Sequence, residues 1–166
     1  ATKADWGLVL ALFKWTYAVL SPFGGWFADR FSKRHVIAGS LFLWSVVTWW
    51  TGHVTSFREM LLVRALMGIS EAFYIPTALA LITESHPNET RSRAVGLHQA
   101  GIYIGQILGG FAGYAAESPS VGWRNAFATC GIAGAAYALP LLFLLRPNPS
   151  VDAVTRPNPE NPTSDS

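Results

Sequence analysis

Five long apolar stretches, separated by short clusters of charge, are the feature that most restricts the fold of this chain. They cover residues 6–28, 36–54, 60–83, 94–116 and 125–145. Each is close to the ~20 residues that an α-helix needs to cross the hydrocarbon core of a bilayer. We therefore predict an all-α, polytopic transmembrane bundle with five spanning helices within residues 1–146.

The composition supports an integral membrane protein and excludes several other classes. Hydrophobic residues make up 51% of the 166 residues and charged residues only 13%, with a mean hydropathy of +0.28. A net charge of +2 is too small to indicate nucleic-acid binding. The single cysteine, Cys130, rules out an intrachain disulfide. Since neither Gly-x-Ser-x-Gly nor His-Glu-x-x-His occurs, we predict no enzyme activity, no metal site and no cofactor.

The two ends of the sequence differ from the apolar part. After Arg146, prolines alternate with polar residues, so residues 147–166 are expected to form a disordered tail or a linker. The first residues, Ala1 to Asp5, include neither a methionine nor a cationic leader. Together with the odd number of helices, this leads us to expect that the chain belongs to a longer protein.

A lysine inside the first apolar stretch is unusual. At mid-bilayer, Lys14 would cost about 2.5–3.5 kcal/mol to insert, unless it faces a polar cavity, pairs with an acid or extends toward the interface. Tyr17 and Ser21 follow at helical spacing on the same face. The sequence leaves these alternatives open, and we regard Lys14 and Tyr17 as candidates for a substrate or proton pathway.

The third stretch contains two opposite charges. Arg64, Gly68 and Glu71 lie on one helical face, with the two charges about 10 Å apart along the axis. Arg64 and Glu71 either line a polar pathway or form an internal ion pair. Pro76 cannot donate a backbone hydrogen bond, so it frees an acceptor one turn earlier, near Ala72.

The fourth stretch has one bare face. Gly101, Gly105, Gly109 and Gly113 recur every four residues, a spacing that allows two helices to approach closely in lipid. His98 and Gln106 lie on other faces of the same helix. Each is compatible with a place in the packed core or in a polar cavity.

The distribution of cations predicts the orientation in the membrane. The side with the loops at 29–35 and 85–93 and the start of the tail carries Arg30, Lys33, Arg34, Arg91, Arg93 and Arg146. The opposite side carries Lys3, Arg58 and Arg124. Cytoplasmic loops are enriched in Lys and Arg, so we expect those two loops and the tail to be cytoplasmic, in a bacterial inner membrane.

The segment Gly24 to Arg34 resembles the loop signature between the second and third helices of major facilitator superfamily transporters. The matching residues are Gly25, Asp29, Arg30, Lys33 and Arg34, whereas Ser32 stands where glycine is usual. Glu84 and Arg91 keep a spacing seen in sugar-porter-like members. The resemblance implies that these seven residues form a conformational gate, in which Glu84 pairs with Arg30 or Arg34.

The resemblance extends over nearly the whole chain, as helices two to six of the amino-terminal half. Arg64 to Gly68 is similar to the arginine motif of helix four, and the continuation to Pro76 looks most like organic-anion symporters and spinster-type members. Antiporters often carry Gly-Pro-x-x-Gly-Gly in helix five. Here Gln106 replaces that proline, which favours symport or uniport over drug/proton exchange.

The resemblance implies secondary active transport of a small organic solute by alternating access. An organic anion is favoured because Lys14 and Arg64 place positive charge inside the membrane. Proton or sodium would be the coupling ion, and Glu71 could carry a proton because a carboxyl group removed from water favours its neutral form. The expected partners are the bilayer and a carboxyl-terminal half that this chain lacks. A sugar-type facilitator, a drug/proton antiporter and a non-transporting membrane sensor are the alternatives.

Overall fold

The computed structural model describes residues 2–145, which contain five α-helices and no β-strand. The helices are α1 (Lys3–Arg30), α2 (Lys33–Thr51), α3 (Phe57–Ser85), α4 (Asn88–Glu117) and α5 (Gly122–Leu144). The predicted all-α bundle of five helices is confirmed. The tail predicted at 147–166 lies outside the described residues.

Two helices begin with reciprocal capping boxes. At α1 the Asp5 backbone N–H donates to Thr2 Oγ1 at 3.2 Å, and the Asp5 carboxylate accepts from the Thr2 backbone. At α3 the cap is Ser56, whose hydroxyl accepts from the Glu59 N–H at 3.2 Å. Each acidic side chain also lies near the positive end of its helix dipole, so both helix starts are well defined in the sequence.

The charged connections are shorter than the sequence suggested. Because α1 continues through Arg30 and α2 begins at Lys33, the predicted loop at 29–35 is reduced to Phe31 and Ser32. The Phe31 N–H still donates to the Phe27 carbonyl at 3.0 Å. In the same way, α3 ends at Ser85 and α4 begins at Asn88. The predicted loop bounds were wrong because charged residues continue a helix readily where it leaves the bilayer.

The helices do not pack in chain order. The most extensive contacts join α1 to α3, α2 to α5 and α2 to α3, whereas α1 and α2 barely touch. α4 makes smaller contacts with α5 and α3. The buried centre lies between α2 and α3 and consists of Val47, Val54, Val63 and Met67. This arrangement leaves an open groove between α1 and α2, above α3.

Glycine contacts bring the paired helices together. A Cβ added at Gly24 of α1 would overlap the carbonyl oxygen of Ala72 in α3. That carbonyl lacks its usual intrahelical donor because position 76 is proline. A Cβ at Gly131 of α5 would similarly overlap the Trp49 backbone of α2. These two close approaches require glycine and set the α1–α3 and α2–α5 distances.

The bare face of α4 packs against none of the described helices. A Cβ added at any of its four glycines meets no atom within 4 Å: Gly101, Gly105, Gly109 and Gly113. The prediction that this face packs against a helix therefore stays a prediction. Its partner, if it has one, is not among residues 2–145.

The surface is that of a membrane-embedded bundle. Within residues 2–145, three helices, α1, α3 and α5, are long and apolar enough to cross a membrane, so spanning by α2 and α4 stays a prediction. Large apolar side chains are widely exposed, including Trp15 at 70%, Tyr114 at 77% and Phe143 at 82%. Such exposure indicates lipid or further protein as the surroundings.

Candidate functional site

Most of the predicted gate residues lie at one end of the bundle, where α1 and α3 end and α2 and α4 begin. We call it the charged end. Lys33 Nζ in the first turn of α2 lies 3.2 Å from Glu84 Oε2 in the last turn of α3. The lysine side chain is 11% exposed and the glutamate side chain 36%. This ion pair joins two helices and brings two of the predicted gate residues together.

The prediction that Glu84 pairs with Arg30 or Arg34 was wrong. The Arg30 guanidinium lies 4.9 Å from the centre of the Trp26 ring, one turn earlier on its own helix. Arg34 keeps its Nε sealed from solvent, without a hydrogen-bond partner in residues 2–145. Lys33 forms the ion pair with Glu84 because Lys33 is the first residue of α2. The spacing of the charged residues in the sequence does not reveal where α2 begins.

Two other charged gate candidates, Asp29 and Arg91, make no ion pair within the described part of the chain. Asp29 is exposed in the last turn of α1, and Arg91 is exposed in the first turn of α4. A Cβ added at Gly25 would meet no atom within 4 Å. Unlike Gly24, Gly25 is therefore not required by packing among residues 2–145.

Arg64 is half-buried in the membrane-spanning part of α3 with few partners. Its Nη1 donates to the thioether sulfur of Met67 at 3.6 Å, a weak acceptor. Its Nε is sealed from solvent and has no partner in residues 2–145. No acidic group of these residues lies within ion-pair distance of it. A partly buried guanidinium with so little compensation is costly, and such a group is suited to binding an anion.

Gly68 shows which helix the charged face of α3 meets. A Cβ added there would lie 2.6 Å from the Phe13 carbonyl oxygen and 3.2 Å from the Tyr17 backbone nitrogen. Arg64 and Glu71 share this face of α3, so both lie on the side that packs against α1. Glu71 is half-buried and forms no ion pair with Arg64, so the described residues contain no internal Arg64–Glu71 pair.

The other pathway candidates are spread over the bundle. Lys14 is exposed and Tyr17 is half-buried, one turn apart on α1. Gln106 of α4 is exposed, and no described helix covers it. The structure thus brings Tyr17 close to the charged face of α3, whereas Lys14 and Gln106 point away from the packed centre.

His98 belongs to an aromatic cluster that the sequence did not reveal. Its ring centre lies 6.3 Å from that of Tyr74, and the Tyr74 ring lies 6.5 Å from that of Trp44. Three helices, α2, α3 and α4, therefore contribute to one row of rings. His98 Nε2 is sealed from solvent without a partner in residues 2–145. The only signal for Tyr74 was its place one turn after Glu71.

Arg124, at the opposite end, was counted only as a topology signal. Its Nη1 donates to the Val54 carbonyl at 2.7 Å and the Gly52 carbonyl at 3.3 Å. These acceptors lie just beyond α2, where the negative end of a helix dipole attracts a cation. Arg124 therefore connects the start of α5 to the end of α2.

No metal-binding cluster of three or more His, Cys, Asp or Glu residues occurs within residues 2–145. The described residues form a helical bundle whose surface exposes large apolar side chains. One helix, α3, contains a half-buried cation and a half-buried carboxyl group, and an ion pair joins two helices at the charged end. That combination is typical of a polytopic membrane protein.

Comparison with known proteins identifies the family. The family model of the Major Facilitator Superfamily matches residues 1–164. The chain belongs to this superfamily, and the predicted resemblance is confirmed. Since members of the family are transporters, the prediction that the chain is not an enzyme is confirmed as well.

Several curated relatives are named transporters or spinster proteins. The chain is 32% identical to human protein spinster homolog 1 over 95% of its own length and 31% of that protein. It is 36% identical to a D-galactonate transporter of Escherichia coli over 63% of the chain and 24% of the relative. It is 28% identical to a probable sulfoacetate transporter of Cupriavidus necator over 89% of the chain and 34% of the relative.

A solved structure shows the same fold. A bacterial homolog of the human lysosomal transporter spinster, in an inward-facing and unoccupied conformation, matches with a TM-score of 0.76 and 26% identity. The match covers 88% of this chain and 36% of that chain. The chain thus spans about a third of the length of the relatives that it matches over most of its own length.

Proposed function

We propose that this chain contributes to secondary active transport of a small organic anion, coupled to a proton or another ion by symport. The observation that carries the proposal is Arg64. A half-buried guanidinium with a thioether as its hydrogen-bond acceptor, and no acid beside it in residues 2–145, is suited to a carboxylate or sulfonate substrate. Relatives named for D-galactonate and sulfoacetate transport support an organic anion.

Glu71 is the proposed coupling group. It lies two turns after Arg64 on the same face of α3 and has no cationic partner in residues 2–145. Inside the membrane, a carboxyl group without a counter-charge is most stable when protonated. Proton binding to Glu71 and anion binding at Arg64 would each reduce the uncompensated charge on this helix. Each binding event would therefore favour the other, and this mutual dependence of proton and anion binding is what symport requires.

The charged end is proposed to be a cytoplasmic gate. Six cations against three favour this orientation, and Asp29, Arg30 and Arg91 are exposed at this end without ion-pair partners in residues 2–145. A carboxyl-terminal half of the longer protein would supply those partners in the outward-open state. The proposed location is the cytoplasmic membrane of a bacterium. A reporter fused after Arg146 that is active outside the cell would contradict the orientation.

The test uses the full-length protein in proteoliposomes, with labelled galactonate and sulfoacetate as the first probes. Gradient-driven accumulation that an uncoupler abolishes is the expected result. Arg64→Gln should eliminate saturable uptake, whereas the exposed Arg58→Gln at the opposite end serves as the matched control. Glu71→Gln should retain exchange of substrate across the membrane but lose accumulation.

Two results would contradict the proposal. If Glu71→Gln still accumulates substrate against a gradient, Glu71 is not the coupling group. If the wild-type protein binds these anions but neither exchanges nor accumulates any of them, a non-transporting sensor of the same fold becomes the better explanation.

A further inference from the structure

A groove of about 430 Å³ opens between α1 and α2 at the charged end, with α3 as its floor. It exists because α1 and α2, although consecutive, hardly contact one another. The walls are almost entirely apolar. The apolar side chains that line it are Phe27, Phe31, Val36, Leu43, Ile69 and Phe73.

The groove has a defined aromatic wall. The Phe27 ring stacks on the Phe31 ring with 4.2 Å between centres, and it packs edge-to-face with the Phe73 ring with 5.4 Å between centres. Phe31 is nevertheless 51% exposed and Leu43 is 40% exposed. From His35 to Leu43 the groove follows about 12 Å of helix α2. An apolar groove of this length that is open along one side suits an alkyl chain.

The mouth of the groove favours a negative group. His35, which is exposed, lines it, and the half-buried Arg34 adds a positive charge in the same turn. The first turn of α2 contains no acidic residue, and its cap residue, Ser32, makes no side-chain capping bond. The N–H groups of His35 and Val36 donate to the Ser32 carbonyl, whereas those of Lys33 and Arg34 have no hydrogen-bond acceptor in residues 2–145 and are available to an anion. Lys33 contributes less because Glu84 already neutralises it.

We propose that this groove binds one anionic phospholipid from the membrane leaflet that surrounds the charged end. The acyl chain would lie against Phe27, Phe73 and Leu43, and the phosphate would sit at the first turn of α2 beside Arg34 and His35. Basic pockets between helices at a membrane surface commonly hold anionic head groups. The proposal concerns a structural lipid, so it does not depend on the transported substrate.

Photolabelling of the full-length protein in nanodiscs tests the acyl-chain site. Phosphatidylglycerol with a diazirine in its acyl chain is the probe, and mass spectrometry locates the label. We expect labelling within residues 27–43. Gly39→Leu should reduce it several-fold, because Gly39 lines the groove and a Cβ there meets no atom within 4 Å. Gly7→Leu, also open around its Cβ but remote from the groove, should leave labelling unchanged.

A second pair of variants tests the head-group site. His35→Glu places a carboxylate at the mouth, and as the third residue of α2 it can form a capping box with Ser32, so the helix should fold normally. Labelling by phosphatidylglycerol should fall several-fold, while labelling by the matching phosphatidylcholine probe should not change. His53→Glu, at the other end of α2, is the control.

Three results would overturn the proposal. The first is equal labelling of the wild-type groove by both lipids, which would leave the head group without a role. The second is undiminished labelling in Gly39→Leu. The third is a cysteine introduced at Gly39 that cross-links to a part of the longer protein outside this chain, which would mean that a protein segment fills the groove.

Discussion

Lys33 Nζ at the start of α2 and Glu84 Oε2 at the end of α3 lie 3.2 Å apart, and this pair links two helices at the end of the bundle where the charges concentrate. Glu84 is more than a third exposed. Exposed pairs of this kind contribute only about 0–1 kcal/mol to folding. We therefore expect this ion pair to affect the equilibrium between conformations of the folded protein more than the free energy of unfolding.

We expect Glu84→Gln and Lys33→Gln each to change transport rate several-fold while shifting the free energy of unfolding by at most about 1 kcal/mol. The exchanged pair, Lys33→Glu with Glu84→Lys, should restore transport at least partly. Uptake and thermal unfolding of the purified full-length protein measure the two effects. Glu89→Gln, an exposed acid near the start of α4, is the control. Equal loss in the singles and the exchanged pair would rule out a direct interaction.

Gly24 and Gly25 should differ sharply although they are neighbours. Gly24→Ala places a methyl group on the Ala72 carbonyl, so α1 and α3 must separate, at a cost of about 1–3 kcal/mol. Gly25→Ala has open space around it and should not lower stability; the higher helix propensity of alanine should raise it by up to about 1 kcal/mol. Melting temperatures of the two variants, measured in the same detergent, test this. An equal melting temperature for Gly24→Ala and wild type would contradict the close α1–α3 approach.

The Asp29→Asn variant distinguishes a role of this segment in membrane orientation from a role in gating. An acid in the last turn of a helix faces the negative end of the dipole and is unfavourable by about 0.3–1 kcal/mol, and Asp29 has no ion-pair partner in residues 2–145. Removing its charge should thus leave stability unchanged or raise it slightly. Under the proposed gate, transport should nevertheless fall, and a cysteine introduced at the charged end should change its rate of alkylation. If the transport rate and the alkylation rate of Asp29→Asn are unchanged, the charges of this segment serve only to orient the protein in the membrane.

Arg124→Lys should destabilise the fold. Both hydrogen bonds, to the Gly52 and Val54 carbonyls, come from one nitrogen, Nη1, at the end of a side chain that is longer than that of lysine, so an ammonium group at position 124 should not reach both acceptors. Hydrogen bonds to charged groups contribute about 1.5–3 kcal/mol, and we expect a loss near the lower value. Chemical denaturation measures it, with the exposed Arg58→Lys as the control. A smaller loss in Arg124→Lys than in Arg58→Lys would show that the link between α2 and α5 is not important.

Local sequence signals predicted the helices well and their contacts poorly. The apolar stretches and the Ser56–Glu59 capping box mark helices because these effects act within one segment. The four-residue glycine repeat of α4 was the strongest packing signal in the sequence, yet no described helix meets it. The glycines at which an added Cβ would collide with another helix are Gly24, Gly52, Gly68, Gly131 and Gly134, which lie in no such repeat.

The sequence by itself determined that the chain forms five long helices, where its charges concentrate and which residues share a helical face. Only the tertiary structure decided which helix each face meets: Gly24 on Ala72, the Arg64 face of α3 on α1, and Lys33 rather than an arginine on Glu84. The physical reason is that hydrophobic length and helical period are properties of one segment. In a bilayer, helix pairing depends on close packing and hydrogen bonds between segments, because apolar burial does not drive association there.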